Sequence, residues 1–69
     1  MFLSMANIGE INTIKRIGGN EKVKKFLEGL GFITGTSVTV VSNISGNIIV
    51  KIKESRVALN KEMANKIMI

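Results

Sequence analysis

The chain contains neither cysteine nor histidine, which restricts how its 69 residues can be held together. Disulfide bonds and zinc sites of the usual Cys/His kind are both excluded, although many domains of this size depend on one or the other. A chain this short buries only about 60% of the surface that its unfolded form exposes. We therefore expect one domain over residues 1–69, stabilised by a small core of Ile, Val and Leu side chains.

Two segments of alternating character predict a β-hairpin in the middle of the chain. Residues 36–42 and 48–53 each alternate between apolar and polar side chains, which is typical of half-buried strands. A loop over residues 43–47 joins them, with Gly46 where a positive φ is expected. In the register on which both alternations agree, the inward pairs are Ser42–Ile48, Val40–Val50 and Val38–Ile52, and the outward pairs are Val41–Ile49, Thr39–Lys51 and Ser37–Lys53.

Residues 20–30 give the clearest helical pattern. Asn20 is a suitable N-cap, and Gly31 supplies the left-handed residue that commonly ends a helix. The apolar side chains recur at i, i+3, i+4 and i+7, so they form one stripe that is predicted to face the core. The stripe consists of Val23, Phe26, Leu27 and Leu30.

The remaining segments predict further short strands. The first strand covers residues 9–17, with a bulge near Thr13 because its alternation is imperfect. A turn at Glu54 and Ser55 leads into a strand over residues 56–59. A helical turn over residues 60–66, capped by Asn60, then leads into a last strand, Ile67-Met68-Ile69, that returns to pair with the first.

Together these elements predict a mainly β fold, an SH3-like small barrel of five strands. One helix (about 20–30) is inserted after the first strand, and the helical turn (about 60–66) precedes the last. We expect the barrel to be closed or nearly closed, because closure removes the exposed edges that a small sheet would otherwise present. The glycines assigned to turns are Gly9, Gly31, Gly35 and Gly46.

The composition argues against catalysis and against bound cofactors. Without His, Cys or Asp the chain has no conventional triad, thiolate or histidine proton shuttle. The glycine-rich segments 29–31 and 31–35 follow a helix instead of opening one, so neither fits a phosphate-binding loop. The methionines are expected to fill core gaps instead of binding a soft metal. We expect no catalytic residue, no cofactor and no metal site.

The net charge of +5 indicates an acidic partner, such as nucleic acid, anionic lipid or an acidic protein surface, unless it serves only solubility. No segment approaches the ~20 apolar residues of a membrane-spanning helix, and the N-terminus lacks a basic leading segment. We therefore expect a soluble, cytoplasmic chain. A nucleic-acid-binding small barrel is the main rival, but such barrels stack bases on exposed aromatics, and Phe26 is predicted to lie on the apolar stripe.

Residues 26–38 carry a recognisable motif, in which Leu30-Gly31-Phe32 is followed by Gly35 and Val38. This motif resembles the Leu-Gly-Leu-x-Pro-Gly-x-x-Val pattern of the ferrous iron transport protein A family. Residues 3–9, 46–50 and 57–69 are similar to the opening, the second hairpin strand and the close of the same family.

Two residues depart from the family pattern. Phe26 stands where the family often has Arg, so a partner contact that needs a bidentate guanidinium is not available there. Thr34 replaces a frequent Pro before Gly35 and loosens that turn.

The resemblance implies an SH3-like barrel with an accessory role in ferrous iron uptake in the cytoplasm. It also implies a partner, the cytoplasmic region of the membrane transporter ferrous iron transport protein B, which contains a G-protein domain. The same fold occurs as the C-terminal domain of iron-dependent repressors of the diphtheria toxin repressor type. A stand-alone relative of that repressor domain is therefore a second alternative.

The candidate partner-binding residues come from the outward side of the hairpin, the strand after it and the helix. Val41 and Ile49 are of most interest, because an exposed aliphatic pair beside lysines is suited to docking. The full predicted set is Lys22, Lys25, Val41, Ile49, Lys51, Lys53 and Arg56.

Overall fold

A computed structural model describes all of residues 1–69 and shows a mainly β fold. A 3₁₀ turn at Leu3–Met5 precedes the first strand, and none of the helices is long and apolar enough to cross a bilayer. The strands are β1 (Ile11–Thr13), β2 (Arg16–Ile17), β3 (Ser37–Ile44), β4 (Asn47–Ile52), β5 (Ser55–Asn60) and β6 (Ile67–Met68), and the helices are α1 (Glu21–Gly29) and α2 (Lys61–Ala64).

The strands form two antiparallel units, a main sheet in the order β1-β3-β4-β5 and a ribbon of β2 and β6. The chain crosses from one unit to the other at Ile14 and Lys15. The Ile14 amide donates to the carbonyl of Thr36 at 2.9 Å, on the main-sheet side, whereas the Lys15 amide donates to the carbonyl of Met68 at 2.7 Å, on the ribbon side.

The prediction of one bulged strand over residues 9–17 is therefore wrong, and the fold has six strands instead of five. The cause is the three-residue spacing of Ile14 and Ile17, which are both buried. A continuous strand would turn these two side chains to opposite faces, so the chain bends between them. The predicted return of the last strand is correct in part, because β6 pairs with β2, the second half of the predicted strand.

In the central hairpin of β3 and β4, the predicted pairs Val38–Ile52, Thr39–Lys51 and Val40–Val50 are confirmed. Beyond Val40 the register shifts by one residue at a β-bulge. The predicted pairs Ser42–Ile48 and Val41–Ile49 are consequently wrong, because Ser42 pairs with Ile49 and Asn43 pairs with Ile48.

The bulge reconciles two constraints on the register. Ser45 (φ 50°) and Gly46 (φ 83°) form a two-residue turn of the type I′ kind, which pairs Ile44 directly with Asn47. The alternation of buried residues fixes the register at the other end of the hairpin, one residue out of step. The extra residue is absorbed at Val41, and the predicted loop over residues 43–47 shortens to the two turn residues.

The second hairpin also turns earlier than predicted. Its turn residues are Lys53 and Glu54 instead of Glu54 and Ser55, because Ile52 pairs with Ser55. Lys53 has a φ of 53°, so it belongs to the turn and cannot form the predicted outward pair with Ser37. Ser37 pairs with Thr13 of β1 instead.

Both helices begin at the predicted asparagine caps. The Asn20 side chain accepts a hydrogen bond from the Val23 amide at 2.9 Å, and the Asn60 side chain accepts one from the Met63 amide at 2.8 Å. The stripe of α1 is narrower than predicted. Leu27 is fully buried, but Phe26 is 55% exposed, because a short helix on a small core makes contact along little more than one row of residues.

The core is a single cluster of 14 buried residues, all of them hydrophobic. The main sheet supplies it from one side, which we call the inner face. Residues of the inner face are Val38, Val40, Ile48, Val50, Ile52 and Leu59, and the cluster is completed by residues such as Ile14, Leu27, Phe32 and Ile67. The opposite side of the main sheet, the outer face, takes no part in this core.

Candidate functional site

The outer face brings together most of the predicted partner-binding residues. Lys51 of β4 lies directly opposite Arg56 of β5, and Ile49 lies opposite Ala58. Directly opposed residues point to the same side of a sheet, so these two rows are neighbours on the outer face. The bulge sets Val41 as well as Ser42 against Ile49, which extends the second row onto β3.

The apolar part of the outer face is larger than the sequence indicated. Val41 and Ala58 flank Ile49, which is 36% exposed. Two isoleucines that sequence reasoning missed lie at the margins of the same face, Ile11 at 73% and Ile44 at 66% exposed. Ile11 lies in the predicted first strand, whose imperfect alternation does not show which side chains face the core, and its pairing with Thr39 shows that it points outward.

The basic part of the outer face contains a like-charged pair. Lys51 and Arg56 are both exposed, and neither takes part in a side-chain hydrogen bond. Like charges directly opposite each other destabilise a sheet. Lys53 adds a third cation in the adjoining turn, next to the carboxylate of Glu54. This end of the outer face therefore attracts an anionic group.

The structure does not bring Lys22 and Lys25 into this surface. Both lie on α1, which enters the core through Leu27 from the side to which the inner face points. Lys22 is the neighbour of both Lys25 and Phe26 on the exposed surface of the helix, because residues three and four apart lie side by side there. The predicted set is thus divided between the outer face and a separate surface on α1.

A cleft of about 280 Å³ lies beside α1, away from the outer face. The charged side chains that line it include both cations and an anion. The Arg16 guanidinium donates a hydrogen bond to the Met68 sulfur at 3.4 Å. No group of three His, Cys, Asp or Glu side chains lies close enough to hold a metal ion. The cleft is lined by Arg16, Ile17, Lys24, Glu28, Phe32, Ile33 and Thr34.

The glycines assigned to turns have left-handed backbone conformations. Their φ values are 86° for Gly9, 105° for Gly31, 92° for Gly35 and 83° for Gly46. A Cβ at any of these positions would meet no atom within 4 Å, so backbone conformation and not space is what favours glycine there.

Comparison with known proteins gives one family and one fold. The FeoA domain family matches residues 1–69, whereas no curated protein sequence matches the chain. Iron(II) transport protein A from Clostridium thermocellum is 28% identical, with a TM-score of 0.92, and the match covers 99% of this chain and 43% of that one.

Two further solved structures share the fold. FeoA from Stenotrophomonas maltophilia, solved with zinc, is 22% identical with a TM-score of 0.87 and covers 99% of this chain and 87% of its own. It is described as an SH3 domain protein with a suggested role as a ferrous iron transport activating factor. A manganese-dependent transcriptional repressor is 21% identical with a TM-score of 0.88, over 97% of this chain and 39% of the repressor.

Proposed function

The chain belongs to the FeoA domain family, and on that premise we propose that it is a non-catalytic accessory protein of ferrous iron uptake. In this proposal it acts in the cytoplasm by direct contact with the cytoplasmic region of the membrane ferrous iron transporter. The contact surface is the outer face of the main sheet. The role suggested for the Stenotrophomonas maltophilia relative, activation of ferrous iron transport, supports a transporter as the partner.

One observation carries the assignment to the outer face, namely the Lys51–Arg56 pair beside the apolar row of Ile49 and Ala58. The isolated chain gains nothing from two opposed cations, whereas an acidic partner would neutralise both. The exposed isoleucines would contribute about 25 cal/mol for each Å² of apolar surface that the partner covers. Cations and aliphatic surface bind a partner without transforming it, which fits an accessory role.

The test is a binding titration of the purified chain against the purified cytoplasmic region of the transporter from the same organism. We expect Lys51→Glu to weaken binding by about tenfold or more at roughly 0.15 M salt, because it replaces attraction with repulsion. Lys61→Glu is the matched control, since Lys61 is exposed on α2 and carries the same charge change. Equal binding by both variants, or no binding by the unaltered chain, would refute the proposal.

The nucleic-acid alternative has one observation in its favour. Phe26 is 55% exposed and lies one helical turn from Lys22, which is an arrangement of aromatic and basic groups that can stack bases. This alternative predicts binding of single-stranded RNA or DNA at low salt that falls steeply as salt rises and is lost in Phe26→Ala. The transporter proposal predicts that Phe26→Ala leaves the titration with the transporter unchanged. The likeness to the repressor covers 39% of that chain and supports the fold alone.

A further inference from the structure

Strand β5 has an open edge. It is the last strand in the order β1-β3-β4-β5, so one side pairs with β4 and the other side has no strand partner. Its pairing with β4 runs without a break from Ile52–Ser55 to Asn47–Asn60. An unpaired edge of this kind presents a row of free N–H and C=O groups, which is a template for another strand.

The hydrogen bonds of the main sheet identify which groups are free. The Gly9 amide donates to the carbonyl of Val40 at 2.8 Å, so the main-chain groups of Val40 are directed towards β1. Main-chain direction alternates along a strand, so the neighbouring Thr39 is directed towards β4. The main-chain N–H and C=O groups of Lys51, the partner of Thr39, are in turn directed towards β3.

The same alternation continues across β4 into β5. Val50 and Ile52 flank Lys51, so their main-chain groups are directed towards β5. The main-chain groups of their partners, Val57 and Ser55, are therefore directed towards β4. The residues between and beyond them, Arg56 and Ala58, must direct their N–H and C=O groups to the open edge.

Arg56 and Ala58 thus belong to two features at once. Their main-chain groups face the open edge, and their side chains lie on the outer face beside Lys51 and Ile49. Both residues are exposed. A partner segment at this edge would gain main-chain hydrogen bonds and contacts with the charged and apolar rows together.

We propose that an extended acidic segment of the partner joins the main sheet as a further strand along β5. This inference rests on the proposed function, because it names the part of the partner that the same surface recognises. The added strand exchanges hydrogen bonds with Arg56 and Ala58. It places an acidic side chain opposite Arg56 and an apolar one, two residues away, opposite Ala58, which is an acidic–x–apolar pattern.

Charge selects this occupant over a second copy of the chain. If two copies paired through their β5 edges, the Lys51–Arg56 pair of each copy would lie on one continuous sheet face. Each copy also carries a net charge of +5. Like charges so close together oppose association. An acidic segment reverses the sign of that interaction.

The sharpest variant is Ala58→Pro, which removes the outward N–H and leaves the pairing with β4 in place. Proline is tolerated on an edge strand when its missing N–H faces solvent. We expect Ala58→Pro to weaken binding to the purified transporter cytoplasmic region by about tenfold or more. Ala58→Ser keeps the N–H and is the matched control, with an expected change of less than about twofold.

The outcomes separate this inference from the proposed function. If Lys51→Glu weakens binding but Ala58→Pro does not, strand addition is refuted and docking on the outer face stands. If neither variant weakens binding, both proposals are refuted. Concentration-dependent dimers of the free chain that Ala58→Pro disrupts would refute the choice of occupant.

Amide hydrogen exchange gives an answer even if Ala58→Pro does not fold. In the free, unaltered chain we expect the Arg56 and Ala58 amides to exchange quickly and the Val57 amide, which bonds to β4, to exchange slowly. Addition of the transporter cytoplasmic region at saturating concentration should slow Arg56 and Ala58 by about tenfold or more. Unchanged exchange at these two amides in the complex would refute strand addition.

Discussion

The two faces of β4 differ completely although they belong to one strand of six residues, Asn47–Ile52. Ile48, Val50 and Ile52 on the inner face are 2%, 0% and 2% exposed, whereas Ile49 on the outer face is 36% exposed and Lys51 is also exposed. The inner residues hold the core together, whereas the outer residues take no part in it. A single step along the strand therefore separates the core from the proposed contact surface, and each face can be tested on its own.

The largest effect is expected on the inner face. Ile48→Ala should lower the free energy of unfolding by about 2–5 kcal/mol, because it removes buried methyl groups and leaves a cavity in a densely packed core. Urea denaturation followed by circular dichroism measures the change. Ile49→Ala, one residue along, should change it by no more than about 0.5 kcal/mol. Equal losses for the two variants would contradict the division between the faces.

On the outer face, a substitution is expected to raise the free energy of unfolding instead of lowering it. Lys51→Glu places a carboxylate opposite Arg56, so the chain should be more stable by about 0.2–1 kcal/mol while binding the transporter region less tightly. Urea denaturation measures the gain. The double variant Lys51→Glu with Arg56→Glu restores two like charges and should lose the gain. A single variant that is less stable than the unaltered chain would show that Lys51 contributes to the fold.

A substitution in the turn after β4 should give a smaller gain in stability. Lys53 has a φ of 53°, a conformation that costs about 1–2 kcal/mol for an L-residue other than glycine. Lys53→Gly relieves this strain but adds freedom to the unfolded chain, so we expect a net stabilisation of about 0.5 kcal/mol. Glu54→Gly, at a position without a positive φ, should instead destabilise. Thermal unfolding of the two variants provides the comparison.

The smallest effect is expected at the exposed Phe26 of α1, a helix on which the same division between faces recurs. Phe26→Ala should change the free energy of unfolding by less than about 0.5 kcal/mol, because the ring is 55% exposed. Leu27→Ala, one residue on, should lose about 2–5 kcal/mol. A loss above about 2 kcal/mol for Phe26→Ala would mean that the ring packs on the core.

Local patterns predicted those parts of the fold that a few neighbouring residues determine. The alternation in β4 and the asparagine caps of both helices are examples, because each depends on residues close in sequence. The bulge at Val41 could not be predicted in this way. It arises because the turn at Ser45 and Gly46 and the buried alternation set the register independently.

The candidate site was less predictable because its key contact crosses strands. The individual residues Lys51 and Arg56 stood out, but their direct opposition depends on the turn at Lys53. A lysine in a left-handed turn position gives no sequence signal, unlike glycine or asparagine. The exposure of Phe26 was missed for a related reason, since helical spacing shows which residues share a stripe but not how much of it the core covers.

The bulge has a consequence for how this segment can change in length. Loss of Val41 would restore uninterrupted pairing from Val38 to the turn at Ser45, so a one-residue deletion there is compatible with the sheet. Deletion on the other side of Val40, for example of Thr39, would instead turn the buried Val38 outward. Relatives with one residue fewer in this strand should therefore place the gap between Val41 and Ile44, and those that lack Val41 would have a flatter, less apolar outer face.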